Sequence, residues 1–296
     1  MPELLTTDEA AAYLRLSERK LYELVANGAV PCTKVTGRWL FPRAALDRWV
    51  TAGLIAPASL ARTSFPPIVG GSHDPLLEWA LRESRCGLAY LPEGSGEGLR
   101  RLVQGDVIAA AIHLHVLDEI DDERANVAAV ADAAGLHDAV VIAFARREQG
   151  ILTAPGNPLG LRGIESLAGT GVRVAQRPAG AGAQLLLLAL LKRAGLTPER
   201  IVFARPVCPT GADIAQAIRS DRADCGIAVR SVAAATGLDF LPLTWERFDL
   251  VLRQRDYFLP GPQALFALLR SPIFHERALE LGGYDVQAVG EVRLVN

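Results

Sequence analysis

Side chains suited to binding an anion lie in three glycine-rich loops of the chain. Ser72 and Ser95 follow glycines in the first two loops, and Arg177 comes just before the third, residues 178–182. Each loop is predicted to open a helix, whose N-terminus offers unpaired N–H groups and partial positive charge. Hydroxyl and amide donors around one guanidinium favour an oxyanion or a carboxylate as ligand. The alternative for both serines is a plain N-cap, which many helices need without binding anything.

Three further residues are candidates for the same site. His73 and His113 can line it, although a histidine that is satisfied within the fold explains each of them equally well. Thr210 lies near the next loop and is a weaker candidate. His113 and His115 would share one face of a strand, but the sequence places no third ligand near them, so we expect no metal site.

Motifs that would support catalysis are missing from the sequence. The glycines at residues 94–98 have only a loose likeness to a dinucleotide-binding loop, and no acidic partner is evident. Neither a P-loop nor a G-x-S-x-G motif occurs. The four cysteines form no C-x-x-C pair, which argues against a zinc site or a disulfide framework. We therefore expect neither an enzyme nor a bound cofactor.

Short apolar strands that alternate with amphipathic helices are predicted to hold these loops. The predicted strands cover residues 68–69, 87–91, 107–112, 139–144, 172–175 and 225–229. Two predicted helices follow the first two glycine-rich loops and end at about residues 84 and 104. Two more are predicted over residues 184–194 and 213–220. Alternation of this kind predicts an α/β fold with mainly parallel sheets, in which ligands bind at the carboxyl ends of the strands. The loops would then meet at one edge of the sheet.

The first fifty residues have the pattern of a winged helix-turn-helix. Thr7 and Ser17 are the predicted N-caps of helices over residues 8–14 and 18–26. Two strand-like runs follow at residues 32–35 and 39–41, with a basic tip between them at residues 36–38. A final helix is predicted over residues 43–50. From residue 15 to residue 43 there are six basic residues and two acidic ones, in a chain whose formal net charge is -2. A local basic surface is enough for DNA binding, because phosphate contacts supply most of the sequence-independent affinity.

This segment resembles the excisionase and MerR-like helix-turn-helix family. The matching runs are T-T-D-E-A-A, S-E-R-K-L-Y and G-R-W, which stand at residues 6–11, 17–22 and 37–39. The resemblance implies that Arg19, Lys20 and Tyr22 read the major groove. It also implies that Lys34 and Arg38 contact phosphate or the minor groove. The alternative is that these are solvated side chains on an ordinary helical surface.

Residues 68–290 resemble the type II periplasmic-binding-protein domain that follows helix-turn-helix heads in bacterial regulators and is related to molybdate- and tungstate-binding proteins. The matching motifs stand, in order, at residues 71–74, 94–99, 105–114, 149–158, 177, 222–226 and 237–250. The resemblance implies two α/β lobes with the ligand between them. The hinges are expected at residues 145–152 and 243–252, where the chain would pass between the lobes.

One loop departs from the pattern of that family. Where the family reads N-R-x-x-G-S-G-T-R, this chain has alanine at positions 181 and 183 and glutamine at position 184. Losing one hydrogen-bond donor in a buried polar site costs on the order of 1 to 3 kcal/mol. A larger or less charged ligand is therefore an alternative to a tetrahedral oxyanion.

Three segments are predicted along the chain. Residues 1–52 form the winged helix-turn-helix, residues 53–66 a linker, and residues 67–296 the periplasmic-binding-protein-like domain. Lobe 1 of that domain takes about residues 67–148 and 250–296, and lobe 2 about residues 149–249. No apolar run reaches the roughly 18 residues that a membrane span needs. Because the N-terminus also lacks the pattern of a signal peptide, we expect a cytoplasmic protein.

These features predict a one-component transcriptional regulator that binds double-stranded DNA and a small anion. Molybdate and tungstate are the effectors that the resemblance implies. A homodimer is expected, because two half-sites about one DNA turn apart improve specificity. The alternatives are the same architecture sensing a small organic metabolite, and a ligand-independent architectural or recombination DNA-binding protein. An enzyme of molybdenum-cofactor metabolism is a third alternative, for which the sequence offers no catalytic constellation.

Overall fold

The computed structural model describes residues 4–35, 37–52, 66–114 and 124–295. The chain divides into two compact units, Met1–Ser64 and Phe65–Asn296. Nearly all of the predicted linker lies outside the described residues, as do Thr36 in the predicted wing tip and His115.

The described part of the first unit consists of three helices and a three-stranded antiparallel sheet. Its elements are β1 (Leu4–Leu5), α1 (Thr7–Leu14), α2 (Glu18–Ala26), β2 (Thr33–Val35), β3 (Arg38–Pro42) and α3 (Arg43–Ala52). β3 pairs with β1 on one side and with β2 on the other. The predicted winged helix-turn-helix is confirmed. β1 is absent from the prediction, because two residues are too few to show an alternating pattern.

The cap of the first helix differs from the prediction. Thr7 is the first residue of α1, and Thr6 is its N-cap. The carboxylate of Glu9 accepts hydrogen bonds from the backbone N–H of Thr6 at 2.8 Å and from its hydroxyl at 2.9 Å. A capping box needs its glutamate at the third helical position, so Glu9 selects Thr6 and not Thr7. Ser17 caps α2 as predicted, since its hydroxyl accepts the N–H of Lys20 at 3.2 Å.

One apolar core holds the elements of the first unit together. Its buried members are Leu5, Ala10, Ala11, Leu21, Val30, Phe41 and Leu46. Leu21 anchors α2 in this core, and Leu24 and Val25 pack beside it. The opposite face of α2, which carries Arg19 and Lys20, is therefore left to solvent.

The second unit alternates strands and helices, and each predicted element overlaps an observed one. Its helices are α4 (Pro75–Glu83), α5 (Ser95–Gln104), α6 (Ala125–Ala131), α7 (Gly182–Arg193), α8 (Gly211–Arg219), α9 (Arg230–Thr236), α10 (Gln254–Tyr257), α11 (Pro260–Leu269) and α12 (Pro272–Leu281). Its strands are β4 (Ile68–Gly71), β5 (Ala89–Pro92), β6 (Ala109–Ile112), β7 (Ala139–Thr153), β8 (Arg173–Ala175), β9 (Val202–Phe203), β10 (Cys225–Val229), β11 (Asp239–Arg253), β12 (Tyr284–Asp285) and β13 (Val292–Val295). None of the helices described in either unit has both the length and the apolar character of a membrane-crossing segment.

Two long strands carry the sheet of the second unit from one lobe into the other. In the strand order β5-β4-β6-β11-β7-β10-β8-β9, the central strands β7 and β11 have 15 residues each. The outer strands of each lobe are parallel to one another, whereas β7 and β11 run antiparallel to each other and to their neighbours β10 and β6. The prediction of mainly parallel sheets is therefore wrong for the centre of the sheet. The polar residues 146–149 interrupt the apolar pattern, so the sequence shows only the beginning of β7 as a strand.

The crossing of these two strands produces the two lobes, and the predicted bilobed α/β fold is confirmed. Residues 139–145 of β7 pair with the end of β11 in lobe 1, and residues 149–153 pair with β10 in lobe 2. The register between β7 and β11 shifts between Pro242 and Thr244 and again between Phe248 and Asp249. Both irregularities fall within a predicted hinge segment, and the hinge motion itself stays a prediction.

Each lobe has its own apolar core, and polar side chains lie where the cores end. Phe144 and Phe248 belong to the core of lobe 1, and Ile151 belongs to a core of lobe 2. Between them, the buried residues of the crossing strands include Arg147, Gln149 and Glu246. Such polar groups are rarely buried without partners, and they mark the region where the lobes meet.

Candidate ligand site and DNA-binding surface

A small cavity lies between the lobes, and we call it the interlobe cavity. Lobe 1 contributes Ser72, His73 and His113, strand β7 contributes Arg147 and Gln149, and lobe 2 contributes Arg177, Gly211 and the apolar Ala183, Ala228, Val229 and Val232. Four of the predicted ligand-binding residues thus come together: Ser72, His73, His113 and Arg177. The water-accessible volume of the cavity is about 20 Å³, room for roughly one water molecule. Any larger ligand requires the lobes to move apart.

The lobes touch where the third glycine-rich loop meets the end of β6. A Cβ atom on Gly182, the first residue of α7, would overlap the imidazole of His113. At the N-cap of α5, a Cβ atom on Gly94 would lie 3.5 Å from the Cα atom of Ala181. Glycine at position 182 is therefore what allows α7 to approach lobe 1 this closely.

Ser95 supports the interlobe cavity from behind instead of lining it. Its hydroxyl accepts the N–H of His113 at 2.9 Å and lies 3.0 Å from the carbonyl oxygen of the same residue. The hydroxyls of Ser72 and Ser95 are 2.9 Å apart. The N-caps of α4 and α5 are Asp74 and Gly94, so the simple N-cap interpretation is wrong for both serines. Ser95 fastens the start of α5 to the end of β6.

Arg147 is the more deeply buried of the two arginines in the site, and the sequence pattern did not identify it. It is 1% exposed, and its Nε donates to Glu246 at 2.6 Å while one terminal nitrogen donates to Asp74 at 3.0 Å. The guanidinium also lies 4.1 Å from the ring centroid of Phe248. Burial alone would lower the pKa of Arg147, but the charges of Glu246 and Asp74 outweigh it and raise that pKa. The positive charge is thus compensated within the protein.

The same guanidinium fixes the tautomer of His113. The second terminal nitrogen of Arg147 lies 2.6 Å from Nδ1 of His113. A guanidinium can only donate, so Nδ1 is the acceptor and the ring proton resides on Nε2. His113 therefore presents an N–H group on its other side, where it approaches the first turn of α7.

Arg177 differs from Arg147 in that it pairs with no carboxylate of the described residues. One terminal nitrogen donates to the carbonyl of Pro209 at 2.7 Å. Its Nε is buried without a hydrogen-bond partner, and Arg177 forms no ion pair within the described parts of the chain. Burial, followed by the charge of Arg147, lowers the pKa of Arg177 to about 10. It still carries its charge at neutral pH, which leaves a partly buried cation beside the cavity.

The N-termini of two helices of lobe 2 lie next to this cation. Gly211 and Ala183, in the first turns of α8 and α7, both line the interlobe cavity. The partial positive charge at these N-termini adds to that of Arg177. These groups favour an anion on the lobe 2 side of the cavity, and the carboxylate of Asp213 in the first turn of α8 offsets part of their positive charge.

Thr210 and Gln184 are occupied within the fold. Thr210 is the N-cap of α8, where its hydroxyl accepts the N–H of Asp213 at 3.2 Å and donates to the carboxylate of Asp213 at 2.7 Å. It positions Gly211 but does not itself line the cavity. Gln184, which replaces an arginine of the family pattern, accepts the backbone N–H of Arg177 at 2.9 Å. The altered loop thus satisfies the backbone N–H of Arg177 within the protein.

Gln149 and Glu246 complete the site on the crossing strands. The amide Nε2 of Gln149 donates to Oε1 of Glu246 at 2.8 Å, and both residues are buried. Their positions fall within motifs of the family resemblance, but the spacing of the residues assigns them no role. Pairing of β7 with β11 brings together side chains that are nearly a hundred positions apart in the sequence.

The five predicted DNA-contacting residues lie on the surface of the first unit. On α2, the side chain of Arg19 is 92% exposed, and those of Lys20 and Tyr22 are about half exposed. Lys34 and Arg38 are exposed on β2 and β3, with the Lys34 ammonium 5.3 Å from the ring centroid of Trp39. Arg19 and Lys20 both pair with Glu23, at 3.8 and 3.0 Å. Exposed pairs of this kind are weak and leave the cations available to phosphate.

The two units together define a class of protein: a helix-turn-helix domain in one chain with a two-lobed domain of the substrate-binding type. Residues 78–270 match the PBP superfamily domain, and the chain belongs to that superfamily. Residues 4–53 match a helix-turn-helix domain family. Both are binding domains by type, and neither is an enzymatic type.

Similar proteins support the same architecture. The uncharacterized protein YvgK of Bacillus subtilis (strain 168) is 23% identical over 98% of this chain and 97% of its own length. The tungstate ABC transporter structure from Geobacter sulfurreducens aligns with a TM-score of 0.52 and 18% identity, over 72% of this chain and 97% of that one. A mutant of Corynebacterium glutamicum OxyR bound to H2O2 aligns with a TM-score of 0.52 and 14% identity, over 93% of this chain and 89% of that one. At such identities the structural likenesses show the fold alone.

Proposed function

We propose that this protein is a cytoplasmic one-component transcriptional regulator, in which a small anion bound between the lobes changes the affinity of the helix-turn-helix for double-stranded DNA. The observation that supports an anion as ligand is Arg177, a partly buried cation whose Nε has no hydrogen-bond partner among the described residues and which lies beside the N-termini of α7 and α8. The exposed basic side chains of α2 and of the β2–β3 hairpin support the DNA partner. A homodimer would allow two such heads to read two half-sites.

Movement of the lobes links the two binding events in this proposal. The closed arrangement packs His113 against Gly182, and the interlobe cavity admits little more than one water molecule. A ligand therefore binds a more open arrangement or rearranges the closed one. It can shift DNA affinity only by the difference between its affinities for the two arrangements, and DNA shifts ligand affinity by the same factor.

The resemblance of the sequence makes molybdate and tungstate the first oxyanions to consider. The likeness in fold to a tungstate transporter is consistent with this class of ligand. Against it stand Ala181, Ala183 and Gln184, which replace three donors of the family pattern. We therefore define the proposed effector only as a small anion, and the effect of each anion on DNA affinity distinguishes among the candidates.

The proposal is tested by selecting duplexes from a randomised DNA pool and measuring the affinity for the selected duplex by fluorescence anisotropy. Molybdate, tungstate, phosphate and sulfate are then added in turn. We expect at least one anion to change DNA affinity severalfold in the wild type and in Arg200→Met, which alters an exposed arginine of lobe 2. The response should be lost in Arg177→Met. If no duplex is retained at any salt concentration, the protein is not a DNA-binding regulator.

The small volume of the interlobe cavity favours a second candidate function, in which the protein binds DNA without any ligand. If the selected duplex binds equally well with and without every anion and every small carboxylate, the ligand-independent architectural function takes the place of the regulator.

A further inference from the structure

One buried amide oxygen beside the interlobe cavity has no hydrogen-bond partner among the described residues. The Oε1 atom of Gln149 accepts no hydrogen bond from any described residue, and it is buried, since the residue is only 2% exposed. The orientation of this amide is set by Glu246, whose Oε1 already accepts from Nε of Arg147 at 2.6 Å and from Nε2 of Gln149 at 2.8 Å. An ionised carboxylate can only accept hydrogen bonds, so the group of Gln149 that faces Glu246 must be its NH₂ donor. The amide oxygen is therefore left as the acceptor.

The interlobe cavity thus offers one unused acceptor together with one unused cationic donor. The donor is Nε of Arg177, which is buried and without a hydrogen-bond partner in the described structure. Gln149 and Arg177 both line the cavity and come from different elements, the crossing strand β7 and the loop after β8. A ligand held between the lobes would therefore contact both residues.

We propose that the ligand is an anion that also carries a hydrogen-bond donor: its negative oxygens bind Arg177, and its O–H or N–H group donates to Oε1 of Gln149. Monohydrogen phosphate and 2-hydroxycarboxylates share this chemistry. Molybdate, tungstate and sulfate do not, because near neutral pH all of their oxygens are acceptors. This inference rests on the proposed function, since it assumes that an anion binds beside Arg177.

A water molecule in the cavity strengthens the preference for a ligand that carries a hydrogen-bond donor. The cavity has room for about one water molecule, which can donate to the oxygen of Gln149 when no ligand is bound. A ligand that displaces this water without replacing its hydrogen bond loses affinity. A second acceptor placed against Gln149 also lies near the buried carboxylate of Glu246, which adds repulsion. Leaving one buried acceptor unpaired corresponds to a loss of affinity of about 5- to 150-fold.

The experiment is titration calorimetry of the full-length protein at pH 7.5 with two matched pairs of ligands. Phosphate is compared with sulfate, and L-lactate with propionate, so that each pair has one member with a donor and one without. We expect the donor-bearing member of one pair to bind at least about fivefold more tightly than its partner. The pair that shows the preference identifies the source of the donor, either a protonated oxyanion or a hydroxy acid.

The variant Gln149→Met tests whether the amide oxygen is responsible. It keeps the length of the side chain and removes the acceptor. We expect the preference within the pair to fall to about twofold or less, mainly through weaker binding of the donor-bearing ligand. Because this substitution also removes the contact with Glu246, the fold is checked by circular dichroism. If the variant does not fold, the preference of the wild type within each pair decides the matter.

Three results are distinguishable. A preference that Gln149→Met removes supports the inference. Sulfate or propionate bound as tightly as its partner overturns the inference but leaves an anion site at Arg177 in place. If no member of either pair binds, and molybdate and tungstate do not bind either, the anion-binding function itself is overturned.

Discussion

Replacement of Arg147 should test how strongly the buried charges beside the interlobe cavity depend on one guanidinium. In Arg147→Met, the two carboxylates of Asp74 and Glu246, which are 0% and 4% exposed, lose their cationic partner. Removing one partner of a buried ion pair costs about 3 to 5 kcal/mol, because the other charge stays buried without compensation. A domain of this size loses about 2 to 4 °C of Tm per kcal/mol. The expected loss is therefore about 6 to 20 °C.

Arg146→Met is the matched control. Arg146 is the preceding residue of β7, it is exposed, and it points to the opposite face of the strand. An exposed substitution of this kind changes stability by about 0.5 kcal/mol or less. Urea unfolding followed by circular dichroism measures the free energy of unfolding for both variants. A loss in Arg147→Met below about 1 kcal/mol, equal to that of the control, would refute the ion-pair reasoning.

A double variant separates lost charge compensation from lost packing. In Arg147→Met with Glu246→Gln, one of the stranded carboxylates becomes a neutral amide that still accepts from Gln149. We expect the double variant to be more stable than Arg147→Met alone, so that the two substitutions are strongly non-additive. Additive losses would mean that packing against Phe248, and not charge, dominates the role of Arg147.

Three further predictions concern closure, pH dependence and DNA binding. Gly182→Ala should fold normally but fail to close, because its Cβ atom would overlap His113; small-angle scattering should show a wider domain than the wild type, and an identical profile would contradict this. Burial raises the pKa of Asp249, so its contribution to stability is present below its unfolded pKa of about 3.9 and is lost as the pH rises through the folded value. The stability of Asp249→Asn relative to the wild type, measured by urea unfolding, should therefore increase from pH 4 to pH 7, and a constant difference would exclude the shift. Lys34→Ala should reduce the slope of log K against log salt concentration for DNA by about 1, whereas an unchanged slope would place Lys34 outside the interface.

Local patterns in the sequence predicted most of the fold. Ser17 and the apolar spacing around Leu21 were sufficient to place α2, because a cap and a buried stripe are both local signals. The glycine-rich loops likewise marked the helices that surround the interlobe cavity. The predicted N-cap Thr7 is wrong by one residue. Thr6 and Thr7 are both suitable N-caps by residue type, and only the spacing to Glu9 distinguishes them.

Long-range pairing in the structure determined what the sequence did not predict. The role of Arg147 depends on Asp74 and Glu246, which reach it only when β11 pairs with β7 and β4 lies close by. A lone arginine in the run of residues 146–149 looks like a solvated charge, and in the sequence it is indistinguishable from Arg146. The same holds for Gln149, whose unpaired oxygen becomes visible only when the direction of its amide is known. Partners that are distant in sequence leave no local pattern.

The crossing of β7 and β11 between the lobes also bears on how the protein is made. The segment between the two crossings, which contains α7, α8 and the strands of lobe 2, is one continuous stretch of the chain. Lobe 1 is different, because the apolar strand β6 emerges from the ribosome long before residues 249–252, which pair with it. Until then the nascent chain exposes an unpaired strand edge, which invites aggregation. The lobe that is begun first is thus the one completed last during translation.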